Sequence, residues 1–129
     1  MIAVDTNLLV RILIDDPGQP EQVTIARNIA RKAKHVLVPQ IVMIELVWVL
    51  QSAYKFDKDA MIAVLEHLLH NSAFELQAED RLFEALGLFK NNSCGFSDCM
   101  IAVDSQAADC TLVTFDKKLS RLAGVKLAI

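Results

Sequence analysis

Short apolar stretches set between long helical ones restrict this chain more than any other feature. Met1-Ile2-Ala3-Val4, Val36-Leu37-Val38, Phe74-Glu75-Leu76, Thr111 to Thr114 and Val125-Lys126-Leu127 are too short for helices and read as strands. Helical signals fill the gaps. Asp5-Thr6-Asn7 opens a helix over Leu8 to Leu13, and Gln19-Pro20-Glu21 begins one that runs to about Lys34. Arg27, Arg31, Lys32 and Lys34 make the end of that second helix basic, which suits its dipole. Pro39 fits a helix start for residues 40–53, and Asp57 or Lys58 starts another that runs to about His70, with Met61, Leu65 and Leu68 on one face. Glu79 to Lys90 reads as amphipathic helix. Ser97 is a suitable N-cap for a helix through Asp109, and Asp116 opens a short helical piece that Gly124 stops. Short apolar strands alternating with helices predict an α/β fold with a parallel sheet covered on both faces. The 129 residues hold no repeat, low-complexity tract or linker, and suit a single domain over 1–129.

In such sheets ligands gather at the carboxyl ends of the strands. Asp5 directly follows the first strand, and Asp116 lies just beyond Thr114. Asp98 falls in the first turn of the helix after the Gly95 loop. Glu45 sits about a turn and a half into the helix after Val38. All four acids can reach one end of one sheet. Three of them also have ordinary structural explanations: Asp5 and Asp116 as helix caps, and Asp98 as a first-turn acid that answers the dipole.

Glu45 has no capping role. It is the one polar residue between Ile41 and Leu50. A helix apolar all round is expected to be buried all round. A carboxylate inside it must be paired, bound to a cation or neutralised. Glu45 is therefore either half of a buried ion pair or part of a cation site. Clustered carboxylates stay ionised together only when a cation compensates them, and an all-oxygen set selects Mg²⁺ or Mn²⁺ over zinc.

Several classes are disfavoured. The apolar run of residues 41–50 is far short of the ~20 residues of a membrane span. The N-terminal residues lack the basic segment of a signal peptide. Cys94, Cys99 and Cys110 are odd in number and form no Cys-x-x-Cys, which points to a reduced, cytoplasmic protein without a disulfide framework or zinc site. Cys99 has no histidine close in sequence to activate it. His67 and His70 have helical spacing but no further ligands, and are expected to face solvent. Asp104 is roughly 240° round the helix from Asp98, so it and Asp109 are expected to be solvated. The net charge of −3 argues against a nucleic-acid partner until the four candidate acids are set aside, which leaves 12 acidic against 13 basic residues. Arg11, Arg27, Arg31, Lys32, Lys34, Lys117, Lys118 and Arg121 are then either phosphate contacts or ordinary solvated cations.

At this point Val4-Asp5-Thr6-Asn7-Leu8-Leu9-Val10-Arg11, Ile44-Glu45-Leu46, Gly95-Phe96-Ser97-Asp98-Cys99-Met100-Ile101-Ala102 and Leu112-Val113-Thr114-Phe115-Asp116-Lys117-Lys118-Leu119 fall into one pattern. Together they resemble a PIN domain, over essentially the whole chain, and the compact length is similar to VapC-type toxins of toxin–antitoxin pairs. The resemblance implies a three-layer α/β/α sandwich with a short, mostly parallel central sheet. It implies a Mg²⁺- or Mn²⁺-dependent endoribonuclease with Asp5, Glu45, Asp98 and Asp116 as the family's four acids, in that order. Thr6 and Asn7 match the polar pair after the first acid, and Thr114 the hydroxyl residue before the last. RNA is the implied substrate, with 5′-phosphate and 3′-hydroxyl products, and a cognate antitoxin the implied partner.

The expected mechanism is in-line attack of water on a phosphodiester. Asp5, Asp98 and Asp116 hold one or two cations, and Glu45 orients water. Arg11, Lys117 and Lys118 are the nearest candidate RNA contacts. The apolar helix around Glu45 has a side to spare for a second subunit, with Trp48 and Tyr54 as anchors, so a homodimer is expected. Two rivals remain. An aspartyl-nucleophile phosphatase of the haloacid-dehalogenase type needs a second Asp where this chain has Asn7. A non-catalytic PIN-like binding module would not need all four acids.

Overall fold

A computed structural model describes all residues from Met1 to Ile129. The chain forms two compact units, residues 1–79 and 80–129.

In the first unit, β1 (Ile2–Ala3), β2 (Val36–Val38) and β3 (Phe74–Leu76) pair in the order β1-β2-β3, parallel throughout. Ile2 stands opposite Val36, and Val36 opposite Phe74. Parallel neighbours need long crossovers. α1 (Thr6–Leu13) and α2 (Pro20–Ala33) make the first, and α3 (Gln40–Ser52) and α4 (Lys58–His70) the second. β2 is paired on both edges, and its Val36 and Val38 are buried.

Local chemistry sets the helix starts. Asp5 caps α1, its Oδ1 accepting from Leu8 N at 3.0 Å. Pro20 occupies the first turn of α2, where a missing N–H costs nothing. Asp57 caps α4 by accepting from Ala60 N at 2.8 Å. α2 ends at Lys34, whose φ of 67° lies in the left-handed region.

α3 differs from its sequence expectation. Val42, Met43, Leu46, Val47 and Leu50 are buried along one stripe, but Ile41, Glu45 and Trp48 lie on the opposite face and are exposed. Ile41 is 60% and Trp48 69% accessible, and no charged side chain anywhere is buried. At 3.6 residues per turn the two sets fall on opposite sides. An apolar run concealed the open face because two of its three residues are themselves apolar. Just beyond α3, Lys55 also takes a left-handed φ, of 58°.

In the second unit, α5 (Glu79–Asn91) and α6 (Phe96–Ala107) precede a two-stranded parallel sheet of β4 (Leu112–Thr114) and β5 (Val125–Leu127). α6 starts earlier than Ser97 suggested. Gly95 is its N-cap and accepts from Cys99 N at 3.1 Å. The cause is Phe96, which is buried and packs edge-on against Phe89 with ring centroids 5.8 Å apart, fixing where the chain turns. Ser97 thus becomes the second helical residue. Asp109, just after α6, has a φ of 61°. A 3₁₀ turn at Leu119–Arg121 links β4 to β5; it ends with Leu122 as its cap, before Gly124, which with φ 78° lies in the turn into β5. A side chain at Gly124 would meet Gln106 Nε2 at 3.1 Å, so position and conformation both call for glycine. No helix is long and apolar enough to cross a membrane.

Candidate functional site

In the first unit the candidate residues gather around α1 and α3, which pack together. Asp5 follows β1 and is exposed. Its Oδ1 is committed to the helix cap, and Oδ2 is uncommitted. A carboxylate has about four acceptor positions, so capping and ligand binding are compatible. Glu45 makes no hydrogen bond and no ion pair, so the buried ion-pair explanation is excluded. It lines a cavity of about 630 Å³ together with Thr6 and Asn7, the two residues after Asp5.

The same cavity is lined by Arg11 and by Asp16 and Tyr54, which motif reading did not place in a site. Arg11 Nη1 donates to Asp16 Oδ2 at 3.2 Å and to Tyr54 Oη at 2.9 Å, and Tyr54 Oη donates to the same Asp16 oxygen at 3.1 Å. Arg11 Nε donates to Gln22 Oε1 at 2.9 Å. The closed ring of three side chains ties α1, the loop after it and the chain beyond α3. Asp16 Oδ1 accepts from Gly18 N at 2.9 Å; a Cβ at Gly18 would approach that oxygen to 3.2 Å. Arg11 is only 16% accessible and is a fixed wall element rather than a mobile surface cation. Tyr54, half-buried and hydrogen-bonded, is not placed as the exposed anchor expected of it. An acid following an arginine by five residues was the one sign the sequence carried.

In the second unit, Asp116 Oδ1 accepts from Lys118 N at 2.8 Å and Leu119 N at 3.2 Å, and Thr114 Oγ1 accepts from Asp116 N at 3.0 Å. Thr114 therefore sets the backbone at Asp116, which leaves Oδ2 uncommitted. Asp98 is half-buried in the first turn of α6, with no hydrogen bond or ion pair. Asp98 and Asp116, eighteen residues apart in sequence, both bear electrostatically on one group. The Cys94 thiol is pushed up from its ordinary value of 9.0 by burial first, then by Asp116 and Asp98, while Lys118 and Arg121 pull it down. Cys94 is buried, so the donors nearer the surface here are carboxylate oxygens. Lys117 and Lys118 are exposed directly after Asp116.

Other candidates fall outside. Asp104 pairs with Arg81 at 3.2 Å, and Asp109 is exposed. His67 and His70 face solvent, as expected. Arg27 bonds the Ile12 carbonyl and Asp15, closing the end of α1. Cys99 is buried, and Cys110 is exposed and forms no disulfide. Within either unit, no three His, Cys, Asp or Glu side chains are grouped to hold a metal ion.

Comparison with known proteins agrees with the fold. The family model described as PIN domain matches residues 2–125. The chain is similar to a VapC ribonuclease of Aquifex aeolicus (strain VF5), 25% identical over 124 residues, covering 95% of this chain and 92% of that protein.

Proposed function

This chain belongs to the PIN domain family, and on that premise we propose that it is a divalent-cation-dependent endoribonuclease, the toxin of a VapC-type toxin–antitoxin pair. The observation that carries the reading is shared by both units. Each sets an aspartate just past the end of a parallel strand with one oxygen uncommitted. Each also offers a second carboxylate with no partner, Glu45 in one and Asp98 in the other.

Asp5, Glu45, Asp98 and Asp116 are the proposed ligands. The donor set fits Mg²⁺ or Mn²⁺, being all oxygen with no thiolate. When bound, such an ion supplies charge neutralisation at a phosphodiester and makes water easier to deprotonate. The chain's own residues do the rest. Asp5 and Asp116 hold their positions through backbone bonds. Glu45, exposed and unpaired, accepts a proton from attacking water or orients it. Lys117 and Lys118 attract the RNA backbone. The uncovered α3 face with Ile41 and Trp48 supports a homodimer, and the antitoxin is the second proposed partner; light scattering and the neighbouring gene test these. An aspartyl phosphatase is disfavoured because Asn7 stands where its acid–base aspartate is needed.

The deciding experiment incubates the purified protein with tRNA, rRNA and single-stranded DNA, in Mg²⁺, Mn²⁺ or EDTA, beside Asp5→Asn. RNA cleavage that requires both the cation and Asp5 is the expected result. A folded protein that binds RNA in EDTA and cleaves nothing in either metal would make it a binding module instead.

A further inference from the structure

Charge is distributed unevenly along the chain. Residues 111–129 carry four Lys and Arg side chains, at Lys117, Lys118, Arg121 and Lys126, and one acid, Asp116; residues 1–110 carry the other nine basic and fifteen acidic side chains. All four of those cations are exposed, and none is in an ion pair. Among them stands Phe115, 76% accessible, one residue before the proposed ligand Asp116. We infer that Phe115 is a base-stacking residue, whose ring receives a nucleobase beside the reacting phosphodiester while the surrounding cations hold the RNA backbone. The inference rests on the ribonuclease reading above for its substrate, and adds the side chain that meets the base.

The strand sets the ring outward. In β4, Leu112 and Thr114 are half-buried, and the alternate residues Val113 and Phe115 are exposed. On β5, Lys126 stands in register with Val113 and is exposed too. Parallel strands are ordinarily covered on both faces, yet these outward residues are open. A lone exposed phenylalanine would be ordinary. This one lies on an open strand face among cations, the arrangement by which RNA-binding sheets stack bases. Its backbone is also held on both sides. Thr114 O accepts from Ala128 N at 2.7 Å, and Thr114 Oγ1 accepts from Asp116 N at 3.0 Å. Asp116 Oδ1 in turn accepts from Lys118 N and Leu119 N. A ring so preorganised loses little freedom when a base binds.

Charge selects the occupant. Asp98 is the second acid that bears on this region, through Cys94. With both acids ionised and no cation bound, the basic side chains still outnumber them, four to two. With a cation on the acids the surplus grows. Such a face repels a second copy that presents the same face, and attracts a polyanion. Nucleic acid joins anionic phosphates to flat apolar bases. That suits a ring set two and three residues before Lys117 and Lys118. Every base has a π-face, so the contact itself is tolerant of sequence.

The test reads binding apart from cleavage. In EDTA, a fluorescein-labelled oligoribonucleotide of mixed sequence is titrated with the protein and its anisotropy followed. Phe115→Leu keeps an apolar side chain and removes the ring, whereas Phe115→Trp keeps an aromatic surface. The position is exposed, and circular dichroism confirms that both variants fold. Phe115→Leu should bind about fivefold more weakly or worse, the scale of one lost stack, and Phe115→Trp at least as tightly as wild type. Trp48 is the chain's one tryptophan, so in a Trp48→Phe background the indole introduced by Phe115→Trp reports alone. Unlabelled RNA should quench it. Undiminished binding by Phe115→Leu overturns the inference, and so does an indole unquenched at saturating RNA. A folded wild-type protein that binds no RNA overturns it as well. If Phe115→Leu loses self-association in light scattering and keeps its RNA affinity, the face belongs to a second copy and the inference falls. A parallel incubation in Mg²⁺ keeps the two readings apart. Cleavage with undiminished binding by Phe115→Leu removes the stacking residue and keeps the nuclease. Weakened binding by Phe115→Leu of a protein that cleaves nothing removes the nuclease and keeps the stacking residue.

Discussion

Asp5 and Asp116 occupy equivalent points in the two units, and the chain beyond them differs. After β1, Asp5 caps an eight-residue α-helix; after β4, Asp116 caps a turn that runs into three residues of 3₁₀ helix. In both, the strand end sets the position of the acid and the backbone N–H groups that follow hold one of its oxygens, whatever kind of helix they begin. Glu45 and Asp98 contrast with both. They sit on helix surfaces without any hydrogen bond. One pair of acids thus supports the fold and has an oxygen left over, while the other pair has no structural work.

Substitutions that remove charge but keep shape test the left-over oxygen. Asp5→Asn and Asp116→Asn should each lower cleavage by ~10²-fold or more, the scale of removing one electrostatic group at a reacting centre. Asn caps nearly as well as Asp, so circular dichroism and the thermal midpoint should stay close to wild type. An active Asp5→Asn would dissolve the contrast. Truncation tests the other oxygen. Asp5→Ala and Asp116→Ala should cost about 1 kcal/mol of stability in urea titrations.

Glu45→Gln should weaken Mg²⁺ binding by about tenfold while apo stability stays level or rises, because a repelling charge is gone and no partner is stranded. A clear drop in apo stability would return Glu45 to the structural class. Lys117→Gln with Lys118→Gln should leave folding unchanged and flatten the salt dependence of RNA binding, the slope falling by about 1 for each phosphate no longer neutralised. An unaltered slope would place the cations that meet the RNA backbone elsewhere on the protein.

The smallest effect concerns Cys94. Burial and the neighbouring carboxylates favour its neutral form in the fold. Its contribution to stability is complete below the thiol's ordinary value of 9.0 and is lost as pH rises through the raised folded value. Alkylation at about pH 8, below the ordinary thiol value, should reach exposed Cys110 first, and Cys94 only after unfolding. Early modification of Cys94 would show that its burial does not shield it in the folded protein.

Element order was legible in the sequence because caps and breakers are local: Asp5, Pro20 and Asp57 each act where they were read, whereas the helical piece expected to run to Gly124 already ends at Arg121. Ser97 misled because the burial of Phe96, a tertiary fact, outweighed a good capping residue. Glu45 was singled out for the wrong reason. Its helix has an open face with Ile41 and Trp48 on it, and hydrophobicity alone cannot tell such a face from a buried one. The wall made by Asp16 and Tyr54 was illegible because it depends on side chains from 5 to 43 residues apart.

Three helices are followed closely by non-glycine residues in the left-handed region, at Lys34, Lys55 and Asp109. Each holds a conformation that costs an L-residue roughly 1–2 kcal/mol and glycine almost nothing. These positions are a reserve of stability that the protein has not drawn on. None of the three is a candidate ligand or lines the cavity beside Glu45. Glycine at one or two of them would give a sturdier scaffold, on which damaging changes among the acids can be studied while the fold holds.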